Sequence, residues 1–270
     1  VILMPHFVSD PASQITPTRS WVLAFDASAP RSTIAVGWVG ESPDDTHLIA
    51  SDEDKDGANQ CSIHLVPRIE AAVQRAGIQL RELSCIAVGC GPGIFTGSRV
   101  AVATAKGLAL GLGVPCLGLS TLACLAASAP GVQELALNKH QRVLATLDAR
   151  RNQVYGAIYR IGPGAVDFTR EGEEQCTELA KLLAATKAPP PPAYGPGVGA
   201  YGSVIPEPAR SLSLTSTGPT AKGLWRTTVH AWHCQEKTTA SELEIVYLRA
   251  SYAEMGINKP KRPVFHSPLL

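Results

Sequence analysis

The chain has 270 residues, 45% of them hydrophobic, which is enough to bury one large core or two modest ones. Lys and Arg number 24 against 23 Asp and Glu, a formal net charge of +1, which excludes a global field directed at nucleic acid or an anionic membrane. The seven cysteines form no C-x-x-C pair and mostly sit inside apolar runs as small hydrophobes, which favours a reducing cytoplasm. Residues 1–20 lack a basic segment before their short apolar start and contain Pro5, Pro11 and Pro17; they read as an N-terminal extension, neither signal peptide nor membrane span. Trp21 to Ser28 is a mostly apolar strand carrying Asp26 near its end, and Ser32 to Val39 is a second strand that forms a hairpin with it. His47 to Ser51 adds a third strand, and the polar run over 51–60 reads as an exposed loop. Leu65, Val66, Ile69, Ala72, Val73 and Ala76 recur at helical spacing up to Gly77, with Pro67 either starting or kinking the helix.

The stretch from Cys85 to Gly111 is the most informative. Ile86, Ala87 and Val88 form a buried strand, Gly91-Pro92-Gly93 a tight turn, and the residues from Gly97 a helix. On that helix Gly97, Ala101, Ala105 and Ala109 share one stripe, and Ala103, Gly107 and Gly111 fall on another, so a second backbone can approach closely. A strand over Val114 to Leu119 and a helix begun by Ser120 complete a βββαβαβα order. The second half starts alike: Arg142 to Asp148 and Gln153 to Ile161 form a hairpin, a third strand is expected near Ala165 to Arg170, and a helix over Glu174 to Thr186. Two successive halves of this kind point to an α/β fold, the duplicated ribonuclease-H-like, two-lobed architecture of actin, Hsp70 and hexokinase. The expected lobes are 21–113, completed by a segment near 240–254, and 114–239, followed by a tail over 255–270.

WVLAFDASAPRSTIAVG, GCGPGIFTGSRVAVATAKGLALGLGVPCLGLSTLACLA, LDARRNQVYGAIY and Tyr247-Leu248-Arg249 together resemble the TsaB (YeaZ) family. The resemblance is dense over 21–160 and thinner afterwards. It implies a non-catalytic subunit of the bacterial machinery that forms N6-threonylcarbamoyladenosine at position 37 of tRNAs reading codons that start with A. Implied partners are the catalytic paralogue TsaD, the ATPase TsaE, and a second copy of the chain when TsaD is absent; tRNA is met indirectly, through the complex. Such a protein is cytoplasmic and binds no membrane. The pairing with TsaD runs through first-lobe helices, so Gly97, Ala101, Ala105 and Ala109, with Arg99, Thr104 and Leu108 beside them, are the expected partner surface.

The residues offer no complete active site. Asp26 and Ser28 stand where actin-like ATPases organise phosphates and metal, but Ala29 and Pro30 replace the glycine and amide donors that a phosphate cradle needs. Asp26 and Ser28 remain the candidate cofactor contacts; no stably bound cofactor is expected, and ATP or ADP is left to the assembled complex. TsaD-like relatives hold a metal through H-x-x-x-H, whereas here Cys61 and His64 stand at the matching place, a departure from the TsaB pattern as well. His230, His233 and Cys234 share a helix face, a second candidate ligand set whose other reading is the packing of a helix bearing Trp225 and Trp232; on balance no metal is expected. Arg150 and Arg151, with Arg99 and Lys106, are either RNA-phosphate contacts or solvated charges, the latter favoured. Ser28, Thr96 and Ser98 have no recognisable His/Asp partners. A stand-alone ATPase or phosphotransferase, and a metal-dependent peptidase, are the alternatives.

Overall fold

The first strand, β1 (Ser20–Asp26), alternates its side chains between two cores, Leu23 and Phe25 on one side and Val22 and Ala24 on the other. Both faces of its sheet are therefore covered by helices. The computed structural model describes residues 19–54, 61–130, 140–164, 167–186 and 189–249. β1 pairs antiparallel with β2 (Thr33–Val39), which pairs antiparallel with β3 (Thr46–Glu53). On its other side β1 pairs in parallel with β4 (Leu83–Gly89), and β4 with β5 (Cys116–Leu119). Helices α1 (Cys61–Arg75) and α2 (Phe95–Leu112) cover one face through Leu65, Ile69, Ala72, Val73, Ala101, Val102 and Ala105. Pro67 lies inside α1, which starts six residues before it.

The second sheet repeats the plan. β6 (Gln141–Arg150), β7 (Gln153–Ile161) and β8 (Phe168–Thr177) form an antiparallel meander. The connection through α4 (Leu179–Ala184) then returns β9 (Ala193–Tyr194) parallel to β6, and the short helix α5 (Pro196–Tyr201) follows it. Written from the outer strand inwards, the first sheet runs β3-β2-β1-β4-β5 and the second β8-β7-β6-β9, the same order of chain appearance. The counterpart of β5 is reduced to a single parallel bridge between Tyr194 and Leu214. This is the duplicated ribonuclease-H-like fold expected from the sequence.

Helix α3 (Thr121–Ala127) is the wall between the halves. All seven of its residues are buried; Cys124 faces the first sheet, while Leu122, Leu125 and Ala126 face the second. Helix α6 (Ala221–His233) lies beside α3 on the first sheet, placing Leu224, Trp225 and Val229 in the same core as Cys124. Gly223 permits this contact, because a Cβ there would overlap the Ser128 hydroxyl. The short strand β10 (Lys237–Thr238) then adds to the free edge of β5, and Ala240 and Leu243 enter the first core. The segment after α6 thus packs into the first lobe.

Three expectations need correction. The lobe boundary at 113/114 falls one strand early, since β5 pairs with β4, and α6 and β10 also belong to the first lobe. Glu174 to Thr177 extend β8 rather than open a helix, because Gln175, Cys176 and Thr177 pair with Gly156, Tyr155 and Val154. The backbone ladder overrides the helical spacing there, and α4 starts only at Leu179. The stripe Gly97, Ala101, Ala105 and Ala109 is buried against the protein's own sheet, not presented to a partner. Its small side chains let α2 sit close to β1 and β4, and a Cβ on Gly97 would overlap the Ala27 carbonyl oxygen. The extension (1–18 of it), the loop over 55–60 and the tail lie outside the described residues.

Gly97→Ala is therefore expected to destabilise the fold by about 1–3 kcal/mol through overpacking. Gly107→Ala on the same helix, where a Cβ meets nothing within 4 Å, is expected to stabilise by about 0.5–1 kcal/mol. Urea unfolding midpoints of the two variants measure the difference.

Candidate functional site: a braced turn, an interlobe cleft and a helix face

The turn after β1 is closed over by the chain itself. Asp26 is wholly buried; its Oδ1 accepts from the Ser28 backbone N–H at 2.6 Å and its Oδ2 from the Thr121 hydroxyl at 2.7 Å. The N–H of Ile94, which precedes the first residue of α2, donates to the Ser28 carbonyl at 2.7 Å and ties the helix start to the turn. Side chains on Gly89, Gly93 or Gly97 would overlap the Asp26 carboxylate, the Ser28 carbonyl and the Ala27 carbonyl respectively. Ser28 is also buried. Neither Asp26 nor Ser28 presents an atom to a cofactor, and the residues do not fit a phosphate group at this turn. Asp26 instead joins β1 to the start of α3, through Thr121, which has no motif to announce it in the sequence.

The second half keeps a looser copy of the same brace. Asp148, near the end of β6, accepts from the Arg150 N–H at 2.7 Å and from the Tyr201 hydroxyl at 3.0 Å. Arg150, Arg151 and Asn152 all have positive φ, which packs the hairpin turn tightly, and the Arg150 guanidinium folds back to Asp148 at 3.3 Å.

Between the lobes lies a cleft of about 510 Å³ lined by Ser120, Arg170, Glu174, Glu236, Glu242 and Glu244 among others. At its base Glu174 Oε1 accepts from Ser120 Oγ at 2.5 Å and from the Tyr159 hydroxyl at 2.8 Å, with Arg170 at 3.6 Å. Burial, followed by the nearby Glu174 charge, holds the Tyr159 phenol well above its ordinary range. Ser120 also caps α3 by accepting from the Ala123 N–H, the helix start read from the sequence. The sequence spacing places Glu174 at the start of a helix and gives it no part in a site; the structure places it in β8, facing Ser120 and Tyr159.

The C-terminal Tyr247-Leu248-Arg249 segment joins the lobes. Arg99 stacks on the Phe95 ring at 3.7 Å and donates to the Tyr247 hydroxyl at 3.1 Å. Arg249 reaches the other lobe, donating to the Ala149 carbonyl at 2.7 Å and to Gln153 Oε1. The remaining face of α2 is open. Ala103, Gly107, Leu110 and Gly111 are exposed, Leu110 by 73%, and Thr104 and Leu108 lie half-buried at its margins. This is the second small-residue stripe of the sequence; of the expected partner surface, Arg99 is exposed and Thr104 and Leu108 half-buried, whereas Gly97, Ala101, Ala105 and Ala109 are buried.

Of the metal candidates, His64 is exposed on α1, and the Cys61 side chain lies outside the described residues. At the end of α6 the structure brings together His230, Cys234 and, from beyond the helix, Glu236. His233 is separate, with its Nε2 buried. Among the described residues no helix is long and apolar enough to cross a membrane.

Two sheets of equal strand order around a shared helix define a duplicated ribonuclease-H-like protein. The family "TsaD: tRNA N6-adenosine threonylcarbamoyltransferase" matches residues 56–196, more than half of the chain. The solved structure of YeaZ from Pseudomonas aeruginosa superposes with a TM-score of 0.69 at 28% identity, covering 85% of this chain and all of that one. "tRNA threonylcarbamoyladenosine biosynthesis protein TsaB" of Escherichia coli is 38% identical over 96 residues, 36% of this chain and 39% of its own length. Its Haemophilus influenzae namesake is 31% identical over 134 residues, 50% of this chain and 51% of its own length. The matched regions thus span about half or less of these curated relatives. The chain belongs to the TsaD family, on its TsaB/YeaZ branch.

Burial raises the Asp26 carboxyl from its ordinary 3.8, against the hydrogen bonds from Ser28 and Thr121. Above pH 3.8 the folded state therefore retains a proton that the unfolded state has lost, and wild-type stability falls as pH rises through that interval. Relative to Asp26→Asn, which cannot titrate, the wild type is expected to lose stability with rising pH. Paired urea titrations from pH 4 upwards measure this, and a pH-independent difference would contradict the burial argument.

Proposed function

We propose that this chain is a non-catalytic subunit of the machinery that forms N6-threonylcarbamoyladenosine in tRNA, acting by holding a TsaD-like catalytic paralogue. Family membership and the names of its relatives support the process. The observation that carries the mode of action is the outer face of α2. It is a helical stripe of Ala103, Gly107 and Gly111 beside a largely exposed Leu110, with open space over both glycines. A stripe this small lets another helix approach at short range, and Leu110 supplies the apolar anchor. The same face is the one on which a second copy of the chain pairs when the paralogue is absent. A TsaE-like ATPase and the tRNA join through the complex, with any ATP or ADP bound there.

The braced turn at Asp26 supports the non-catalytic reading. The turn packs directly on the backbone at Gly93 and Gly97, where a side chain would overlap the Ser28 and Ala27 carbonyls.

Gly107→Trp adds a large side chain where nothing lies within 4 Å in the free chain. It is expected to abolish co-elution with the TsaD-like partner in size-exclusion chromatography, and tRNA modification by the reconstituted complex, while leaving circular dichroism and melting temperature near wild type. Retained co-elution would sink the assignment of this face.

A further inference from the structure

Helix α6 ends in a way that gathers three metal-binding side chains. His230 and Cys234 stand four residues apart on one helix face, with Cys234 Sγ 3.7 Å from His230 Nε2. Cys234 closes the helix through its N–H to the His230 carbonyl at 2.9 Å. Gln235 then takes a left-handed conformation, φ 57°, and the chain doubles back so that the Glu236 N–H meets the Ala231 carbonyl at 3.1 Å. That reversal brings the Glu236 carboxylate beside His230 and Cys234. One ligand atom from each of the three lies within 4.8 Å of the others.

We propose that His230, Cys234 and Glu236 form a binding site for a borderline divalent cation of the zinc type. Ordinary zinc bonds of ~2.3 Å to sulfur and ~2.0–2.1 Å to nitrogen, at a tetrahedral angle, separate S and N by about 3.6 Å, close to the observed spacing. The exposed Glu236 carboxylate closes the remaining distance by a change of rotamer. A thiolate in the set selects zinc over magnesium or calcium, and thiolate plus carboxylate neutralise its charge. Three protein ligands leave a fourth position for water or another donor. His230 and Glu236 both line the cleft pocket that also holds Ser120, Tyr159, Arg170 and Glu174, so that position opens towards the interlobe space. A bound ion would also fasten the end of α6 to the residues that enter edge strand β10, immediately after Glu236.

The test uses the full chain, stripped with a chelator and titrated with cobalt(II) and then zinc. One equivalent of cobalt is expected to bind with the near-ultraviolet absorption of a thiolate–cobalt bond, which zinc then displaces. Zinc is also expected to raise the melting temperature. Cys234→Ser should abolish the band and the thermal shift, and Glu236→Gln should weaken zinc binding about tenfold or more while keeping the band. Cys61→Ser, which removes the other Cys-x-x-His candidate, should change neither. Cys234 and Glu236 are exposed, so circular dichroism of the metal-free variants should match wild type. Absence of stoichiometric cobalt binding, a band that survives Cys234→Ser, or a band lost in Cys61→Ser overturns the site.

Discussion

The carbonyl oxygens of Ala27 and Ser28 occupy the positions that any side chain on Gly97 or Gly93 would need, and much of the first lobe follows from that crowding. The turn after β1 and the start of α2 are pressed backbone to backbone, joined by the bond from Ile94 to Ser28. With no room for solvent, Asp26 satisfies both oxygens from protein donors, and its second donor, Thr121, fixes where α3 begins. Since α3 is the wall shared by both sheets, the placement of the second lobe is transmitted from this one compressed turn. Substituting glycine there is a change to the frame of the molecule rather than to a loop.

The two halves show how one plan diverges under different packing. Each first strand carries a late Asp whose carboxylate accepts from the N–H two residues on, Asp26 from Ser28 and Asp148 from Arg150. In the first half the turn is sealed by Gly93 and Gly97. In the second it projects as a hairpin of three consecutive left-handed residues bearing two arginines, and the fifth strand has shrunk to one bridge. Duplicated architecture has thus been kept where the core requires it and relaxed at the periphery.

Much of this order was legible in the sequence, because apolar alternation at β1, β6 and β7 and the Ser120 cap are local signals. What failed was local evidence overruled by distant partners. Gln175 to Thr177 have helical neighbours in sequence yet pair with Val154 to Gly156, and nothing between them announces the ladder. Spacing marks α2 as built for close approach but cannot say which of its two small-residue faces turns inward. The Ala27 carbonyl against Gly97 decides it, and that is a tertiary fact. Glu236 was invisible for a similar reason, since only the left-handed turn at Gln235 returns it to His230 and Cys234.

The arginine contacts between the lobes bear on movement. Arg249 grips the β6–β7 hairpin at Ala149 and Gln153, and on α6 Arg226 grips the far end of β7 at the Gly162 and Gly164 carbonyls. A hinged jaw of the kinase type opens about one edge and needs the opposite edge to be unattached. Here guanidinium groups fasten β7 at its start and just beyond its end, so widening the notch between the lobes would have to break arginine–carbonyl bonds at both places.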